Sequence, residues 1–348
     1  SDASAYNVQF RGARPVFIDV LSLRRYREGE YWIGHRQFCD QFLNPLLLRA
    51  LLGVPHNAWY RGSLEGVSAT DLARLLPLRR KLSWKVLSHV VLQARLDQRA
   101  LLQPEKSIEK VRQGRLSKTA FCGLLTQLRN WIARLQPADT GPTTWGDYAR
   151  THGYASDEEA AKRRFVAEFV EGAKPRLVFD LGCNAGDYSV VALEAGARDV
   201  IGFDFDQRVL ETAFARASSQ DLSFLPLFLD AANPSPDQGW QQAERAGFAS
   251  RARADGLLAL AFEHHLAIGR NVPLPQLLSW LTSLAPAGVI EFVPKSDPTV
   301  QRMLALREDI FTDYDEAAFT SCLEQNARIV RDQTVSQHGR RLFWYDRT

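Results

Sequence analysis

The sequence predicts an α/β protein in which a doubly wound, seven-stranded sheet forms the C-terminal part and a mainly helical region with a short β-hairpin precedes it. Three observations carry this. Short apolar, β-favouring runs alternate with helical patterns from about residue 157 onward. The first of these runs, Leu177-Val-Phe179, passes through Asp180 into a turn punctuated by Gly182 and Gly186. Residues from Tyr31 to about Leu135 are instead rich in Leu and Arg, with apolar residues at helical intervals.

The chain opens at Ser1 and its single methionine is Met303, so further N-terminal sequence is expected. Val8 to Ile18 reads as a hairpin turning at Gly12. Asp2, Asn7 and Asp19 have a spacing that resembles the catalytic and metal-binding segment of kinase-like phosphotransferases. Neither a Gly-rich loop nor a strand lysine precedes them, and Ile18-Asp-Val20 replaces Asp-Phe-Gly, so an active kinase is not expected. A remnant of that fold and a plain hairpin both stay open. Helices are predicted over Phe38–Leu52, Ala69–Leu76, Ser83–Leu96 and Ser117–Leu135, with a loop at Asp97–Arg115. Gln136-Pro-Ala-Asp-Thr-Gly-Pro142 reads as a boundary, dividing the chain into 1–136, a linker and aromatic lid at 137–156, and 157–348. Trp145, Tyr148 and Tyr154 in that lid are candidates for a substrate wall or for anchors of the linker.

Asp157 to Val170 is an amphipathic helix with Ser156 as its cap. Strands follow at Leu177–Leu181, Asp199–Asp204, Leu222–Asp230, Asp255–Ala261 and Ala287–Val293, and a final pair at Ala327–Val335 and Arg341–Tyr345 turns across Gln337-His-Gly339. One antiparallel strand at the edge of an otherwise parallel, Rossmann-like sheet follows from that order. Glycine at 182 and 186 lets the backbone turn tightly and approach a ligand where a Cβ would clash. Asp204, 24 residues after Asp180, ends the second strand where such sheets place the carboxylate that holds ribose hydroxyls. A dinucleotide fingerprint would need glycine where Asn184 stands, which disfavours a nicotinamide cofactor.

The fourth strand exits into Phe262-Glu-His-His-Leu266. An imidazole titrates near neutral pH, so His264 or His265 is a candidate general base, against an alternative in which one packs and the other caps a helix. Spacings typical of a metal site are missing here, and no metal is expected.

The strand, D-x-G-x-x-x-G and helix at Asp180, Gly182 and Gly186 resemble the first motif of class I S-adenosylmethionine-dependent methyltransferases. That resemblance implies the class I methyltransferase fold and S-adenosyl-L-methionine as cofactor. It implies that Asp180, Gly182 and Gly186 cradle the amino-acid end, Asp204 holds the ribose and Asp230 reads the adenine amino group. Cys183, Asn184, Tyr188, Phe205, Ala231 and Ala261 complete the expected cofactor set, and Glu263, His264 and His265 are the candidate catalytic residues. Ala3 to Asp19, Arg36-Gln-Phe-Cys39, Asn233-Pro-Ser-Pro236 with Gly239-Trp240, His264-His-Leu266 with Asn271-Val-Pro-Leu274, and Glu291-Phe-Val-Pro-Lys295 with Asp297-Pro298 resemble a bacterial methyltransferase-like family described as nodulation-type proteins. This implies methylation of an O or N nucleophile on a small-molecule or saccharide-type acceptor, with Asn271 a candidate substrate residue and the helical domain covering the acceptor. Glu263 stands where the resemblance calls for an apolar residue, which implies an altered acceptor pocket. The alternatives are a protein or RNA methyltransferase, or a non-catalytic cofactor-binding scaffold.

Composition bounds these readings. With 43 basic and 40 acidic side chains the net charge is only +3, and no RNA-binding motif accompanies Arg79-Arg-Lys81, so nucleic acid is not the expected partner. Four scattered cysteines fit packing thiols in a reducing, cytoplasmic setting. No apolar run approaches membrane-spanning length. The oligomeric state stays open.

Overall fold

In the computed structural model, described over residues 3–103, 105, 115–139 and 156–348, the C-terminal part is built on a seven-stranded sheet flanked by helices. Its strands are β3 (Leu177–Leu181), β4 (Asp199–Asp204), β5 (Phe224–Phe228), β6 (Gly256–Ala259), β7 (Ala287–Phe292), β8 (Arg328–Thr334) and β9 (Arg341–Asp346), after β1 (Val8–Arg11) and β2 (Arg14–Phe17) of the N-terminal hairpin. The spatial order is β5-β4-β3-β6-β7-β9-β8, parallel from β5 to β7. Strand β9 then runs antiparallel between β7 and β8. The chain winds outward from β3 in one direction and then from β6 in the other. The loops after β3 and β6 therefore diverge at the sheet's centre and leave a crevice at the carboxyl ends of the strands.

Two cores explain why these residues form these strands. On one face Phe179, Leu257, Ile290, Phe292 and Phe343 pack against the helix Leu274–Leu284 and the helix Glu316–Glu324. On the other, Val178, Val200, Leu258 and Val289 pack against Phe165, Val166, Phe169 and Val170 of the helix Ser156–Ala173. Every residue of β6 and β7 is buried, as expected for central parallel strands covered on both sides. The fourth strand is shorter than its sequence suggests. It ends at Ala259 because Ala261 turns into the left-handed region at φ +48°.

The chain divides into two compact units, Ser1–Gln9 with Pro15–Gly141, and Phe10–Arg14 with Pro142–Thr348. In the first, the helices pack around Leu43, Leu47, Val67, Leu72, Val90 and Trp131. Two departures from a regular helical pattern occur there. Cys39–Leu43 and Leu87–Val91 are π-helical segments inside otherwise α-helical runs. The helix starting at Leu92 runs to Leu102, past the Asp97 at which a loop was expected. It continues because Leu96, Leu101 and Leu102 are ordinary helix formers and no proline comes before Pro104. Asp19 caps the short turn Val20–Ser22 and lies 3.5 Å from Asn7 Nδ2, while Asp2 falls outside the described residues.

No described helix is long and apolar enough to cross a membrane.

Candidate functional site

The crevice opens into a pocket of about 700 Å³ lined from the ends of β3, β4, β5, β6 and β7. Its first wall is the turn after β3. Gly182, Asn184 and Gly186 all have positive φ, at +75°, +49° and +83°. The amides of Gly182 and Cys183 both donate to Phe203 O at the end of β4, which seats the turn on the neighbouring strand. A Cβ on Gly186 would lie 2.5 Å from a ring carbon of the buried Phe224, so glycine is required twice over, by conformation and by space. Gly186 is the cap of the helix Asp187–Glu194 and itself lies behind the pocket lining.

Three carboxylates sit at successive strand ends and all line the pocket. Asp180 is buried at the end of β3, accepts the Ser189 hydroxyl at 2.6 Å, and is pushed up to about 7 by burial. Asp204 ends β4 and accepts the amides of Asn184 at 3.0 Å and Asp206 at 2.8 Å. Burial raises it as well. Asp230, after β5, accepts the amide of Ala232 at 3.2 Å. Cys183, Asn184, Tyr188, Phe205, Ala231 and Ala261 also line the pocket, so of the eleven positions singled out for the cofactor only Gly186 stands behind it.

The structure separates the three residues singled out for catalysis. They occupy the short helix Glu263–Ala267 after β6, where adjacent side chains point about 100° apart. His265 lines the pocket; Glu263 and His264 are fully buried and do not. Glu263 Oε1 accepts the Val293 amide at 3.0 Å and lies 2.6 Å from the Tyr314 hydroxyl, which is itself 2.7 Å from Val293 O. Burial pushes the Glu263 carboxyl up to about 8, so it is protonated at neutral pH and acts as a neutral strut. Among the described residues neither ring nitrogen of His264 has a hydrogen-bond partner, and burial holds that imidazole neutral, well below the usual range. The His264 and His265 rings lie 4.0 Å apart. Burial, then the nearby Arg340, lowers His265 to about 4, so it too is a neutral imidazole at physiological pH.

Asn271 (φ +56°) does not line the pocket; its Oδ1 accepts Arg307 at 2.5 Å. Trp145, Tyr148 and Tyr154 lie outside the described residues.

Sequence reasoning missed the opposite wall. Lys162, from the helix Ser156–Ala173, reaches Glu291 Oε1 on β7 at 2.6 Å, and both side chains are sealed from solvent while lining the pocket. Glu291 Oε2 accepts the Ala261 amide at 3.0 Å, fixing the turn out of β6. Behind it Arg340 stands 3.7 Å from Glu291 and grips Asp297 through Nε at 2.6 Å and Nη2 at 3.0 Å. A signal was available: Glu291 is the single charged residue in a strand of otherwise apolar residues. Among the described residues no group of three or more His, Cys, Asp or Glu is placed to hold a metal ion.

No family model matches the chain. It is 51% identical, over all 348 of its residues and 73% of the relative's length, to the nodulation protein NoeA of Rhizobium meliloti strain 1021. Among solved structures it is similar to magnesium protoporphyrin IX methyltransferase (ChlM) from Synechocystis PCC 6803 with bound SAH, at 19% identity and a TM-score of 0.42 over 64% of this chain and 100% of that one. It is similar also to the N-methyltransferase NodS from Bradyrhizobium japonicum WM9, at 10% identity and a TM-score of 0.40 over 55% of this chain and 97% of that one.

Proposed function

The chain belongs to the family of the nodulation protein NoeA, and from that premise we propose that it is an S-adenosylmethionine-dependent methyltransferase acting on an O or N nucleophile of a small-molecule or saccharide-type acceptor. The observation that carries the reading is the placement of Asp180, Asp204 and Asp230 at three successive strand ends around one pocket, beside a turn with no room for a Cβ at Gly186. This donor set fits a ligand with an ammonium group, two ribose hydroxyls and an adenine amine. The pocket is large enough for a small ligand of that class. Asp180 and the turn from Gly182 would hold the amino-acid end, Asp204 the ribose and Asp230 the adenine. An approaching ammonium favours the ionised form of Asp180, drawing it back below its raised value as the ligand enters.

When bound, the cofactor supplies an electrophilic methyl group on sulfur. The chain's own contribution is to hold an acceptor in line with it and to take a proton from the acceptor. Of the two histidines only His265 faces the pocket; lowered to about 4 it is unprotonated at neutral pH, though a weaker proton acceptor than an ordinary histidine. Glu291 and Lys162 fix the turn at Ala261 from which the His265 helix departs.

The test is calorimetric titration of the chain with S-adenosylmethionine and S-adenosylhomocysteine, beside the variant Asp204→Ala. One-site binding weakened more than about tenfold by the substitution, equivalent to about 1.4 kcal/mol, is the expected result. Absence of binding to protein that circular dichroism reports as folded overturns the proposal.

A further inference from the structure

The helical unit contains a second cleft, of about 490 Å³, lined entirely by residues between Tyr31 and Gln127. Its rim holds large apolar side chains in water: Trp84 is 73% exposed, Ile33 81% and Tyr31 43%. Its floor is a fixed aromatic ladder. Trp32 meets His35 edge-on at 5.8 Å, His35 lies 5.7 Å from His89, and His89 lies 5.8 Å from the core residue Trp131. The lining also includes the polar side chains of Arg36, Ser88, Gln93 and Gln127.

The arginine that lines this cleft is balanced. Arg36 is 3.6 Å from Asp40 and 3.8 Å from Asp97, and Gln93 Nε2 also donates to Asp97 at 3.0 Å. Burial keeps both imidazoles of the floor neutral, His89 down to about 4. Arg36 is thus already balanced before any phosphate or carboxylate arrives, while Lys85, outside the lining, holds its Nζ 5.9 Å from the Trp131 ring centroid. A purely apolar ligand would leave the polar side chains of the lining, Gln93, Ser88 and the exposed Gln127, unused.

The backbone gives a second, independent indication. Ser88 and His89 lie in the π-helical segment Leu87–Val91, and His35 and Arg36 lead directly into the other, Cys39–Leu43. π-Segments inside α-helices are rare and concentrate at functional sites, because they re-aim side chains that a regular helix would space evenly. Here they bring His35, Arg36, Ser88 and His89 to one cleft.

From these features we infer that the helical unit binds a neutral saccharide, with Trp84 and Tyr31 stacked on the C–H faces of the sugar rings and Gln127, Gln93 and Ser88 engaging hydroxyls. A pyranose ring matches this combination: it is uncharged, apolar on its faces and rimmed with groups that both donate and accept. The inference does not depend on the cofactor pocket.

The test uses the full chain and a panel of neutral tetrasaccharides covering α- and β-linked glucose, galactose, mannose and N-acetylglucosamine, followed by tryptophan fluorescence and calorimetry. Tetragalacturonate serves as the anionic comparison. Saturable binding of at least one neutral sugar, weakened about tenfold or more by Trp84→Ala and by a smaller factor by Gln127→Ala, is expected. Trp84 is exposed, so its removal leaves the fold intact, which an unchanged circular dichroism spectrum verifies. No neutral sugar binding at about 10 mM, affinity unaltered in Trp84→Ala, or tetragalacturonate binding more tightly than every neutral sugar each overturns the inference.

Discussion

Replacing Lys162 by Met, Glu291 by Gln, and both together separates the cost of a buried charge from the worth of the pair. The two groups are 2.6 Å apart and sealed from water. Removing one member of such a pair costs about 3–5 kcal/mol, because the survivor is left charged in a low-dielectric site. In Lys162→Met the Glu291 carboxylate keeps Arg340 at 3.7 Å and the Ala261 amide, which sets the loss at the lower end, about 3 kcal/mol. In Glu291→Gln the ammonium is left beside the Arg340 guanidinium, which sets it at the upper end, about 5 kcal/mol. The double variant removes both charges and leaves Arg340 its grip on Asp297, so it loses little more than Lys162→Met alone. Urea unfolding followed by circular dichroism measures all three. A sum of the single losses that exceeds the double loss by at least about 2 kcal/mol is expected. At about 2–4 °C per kcal/mol for a unit of this size, Lys162→Met lowers Tm by about 6–12 °C. Additivity within about 0.5 kcal/mol refutes the reasoning, since it means that the two side chains do not feel each other.

Gly186→Ala should destabilise by about 2–4 kcal/mol, combining left-handed strain with displacement of the buried Phe224. Gly196→Ala, also at positive φ but with nothing within 4 Å of the added Cβ, should lose less, and equal losses in thermal unfolding would remove the packing part of the argument. The Glu263 carboxyl titrates near 8 in the fold against 4.5 in its ordinary state, so the folded chain holds the extra proton between those values and loses stability as pH rises through them. Between pH 7 and 8 the decline from this group is about 1 kcal/mol; in Glu263→Gln the stability profile over that interval should be flatter by this amount. Leucine in place of His264 removes two buried ring nitrogens that lack partners among the described residues, so His264→Leu should hold or raise the unfolding free energy, and a loss of more than about 2 kcal/mol would show that the ring is bonded.

The strand, turn and helix from Leu177 to Glu194 were legible in the sequence because every instruction is local: apolar strand, acid, glycines at left-handed positions, cap. The alternating order of strands and helices gave the sheet and its antiparallel edge for the same reason. The wall across the pocket was not legible. Lys162 and Glu291 stand 129 residues apart, and nothing in either neighbourhood names the other. Two adjacent histidines on a five-residue helix could not be assigned to pocket or interior without its rotation, which the packing of Leu266 and Ile268 sets. The π-segments escape a search at a period of 3.6, since each inserts one residue into an otherwise regular run.

Gly202 gives the β3 turn a direct seat on β4. A Cβ there would lie 2.8 Å from Cys183 Sγ, so no side chain separates the turn from the strand beneath it. The Cys183 thiol is therefore shut in by the turn itself, and burial raises it well above the usual thiol range. A thiol-directed reagent reaches this buried thiol more readily while the turn is lifted from the strand. Its slow labelling, set against the exposed Cys122 in the same chain, thus acts as a clock for that opening, and a ligand seated against the turn should make it run more slowly.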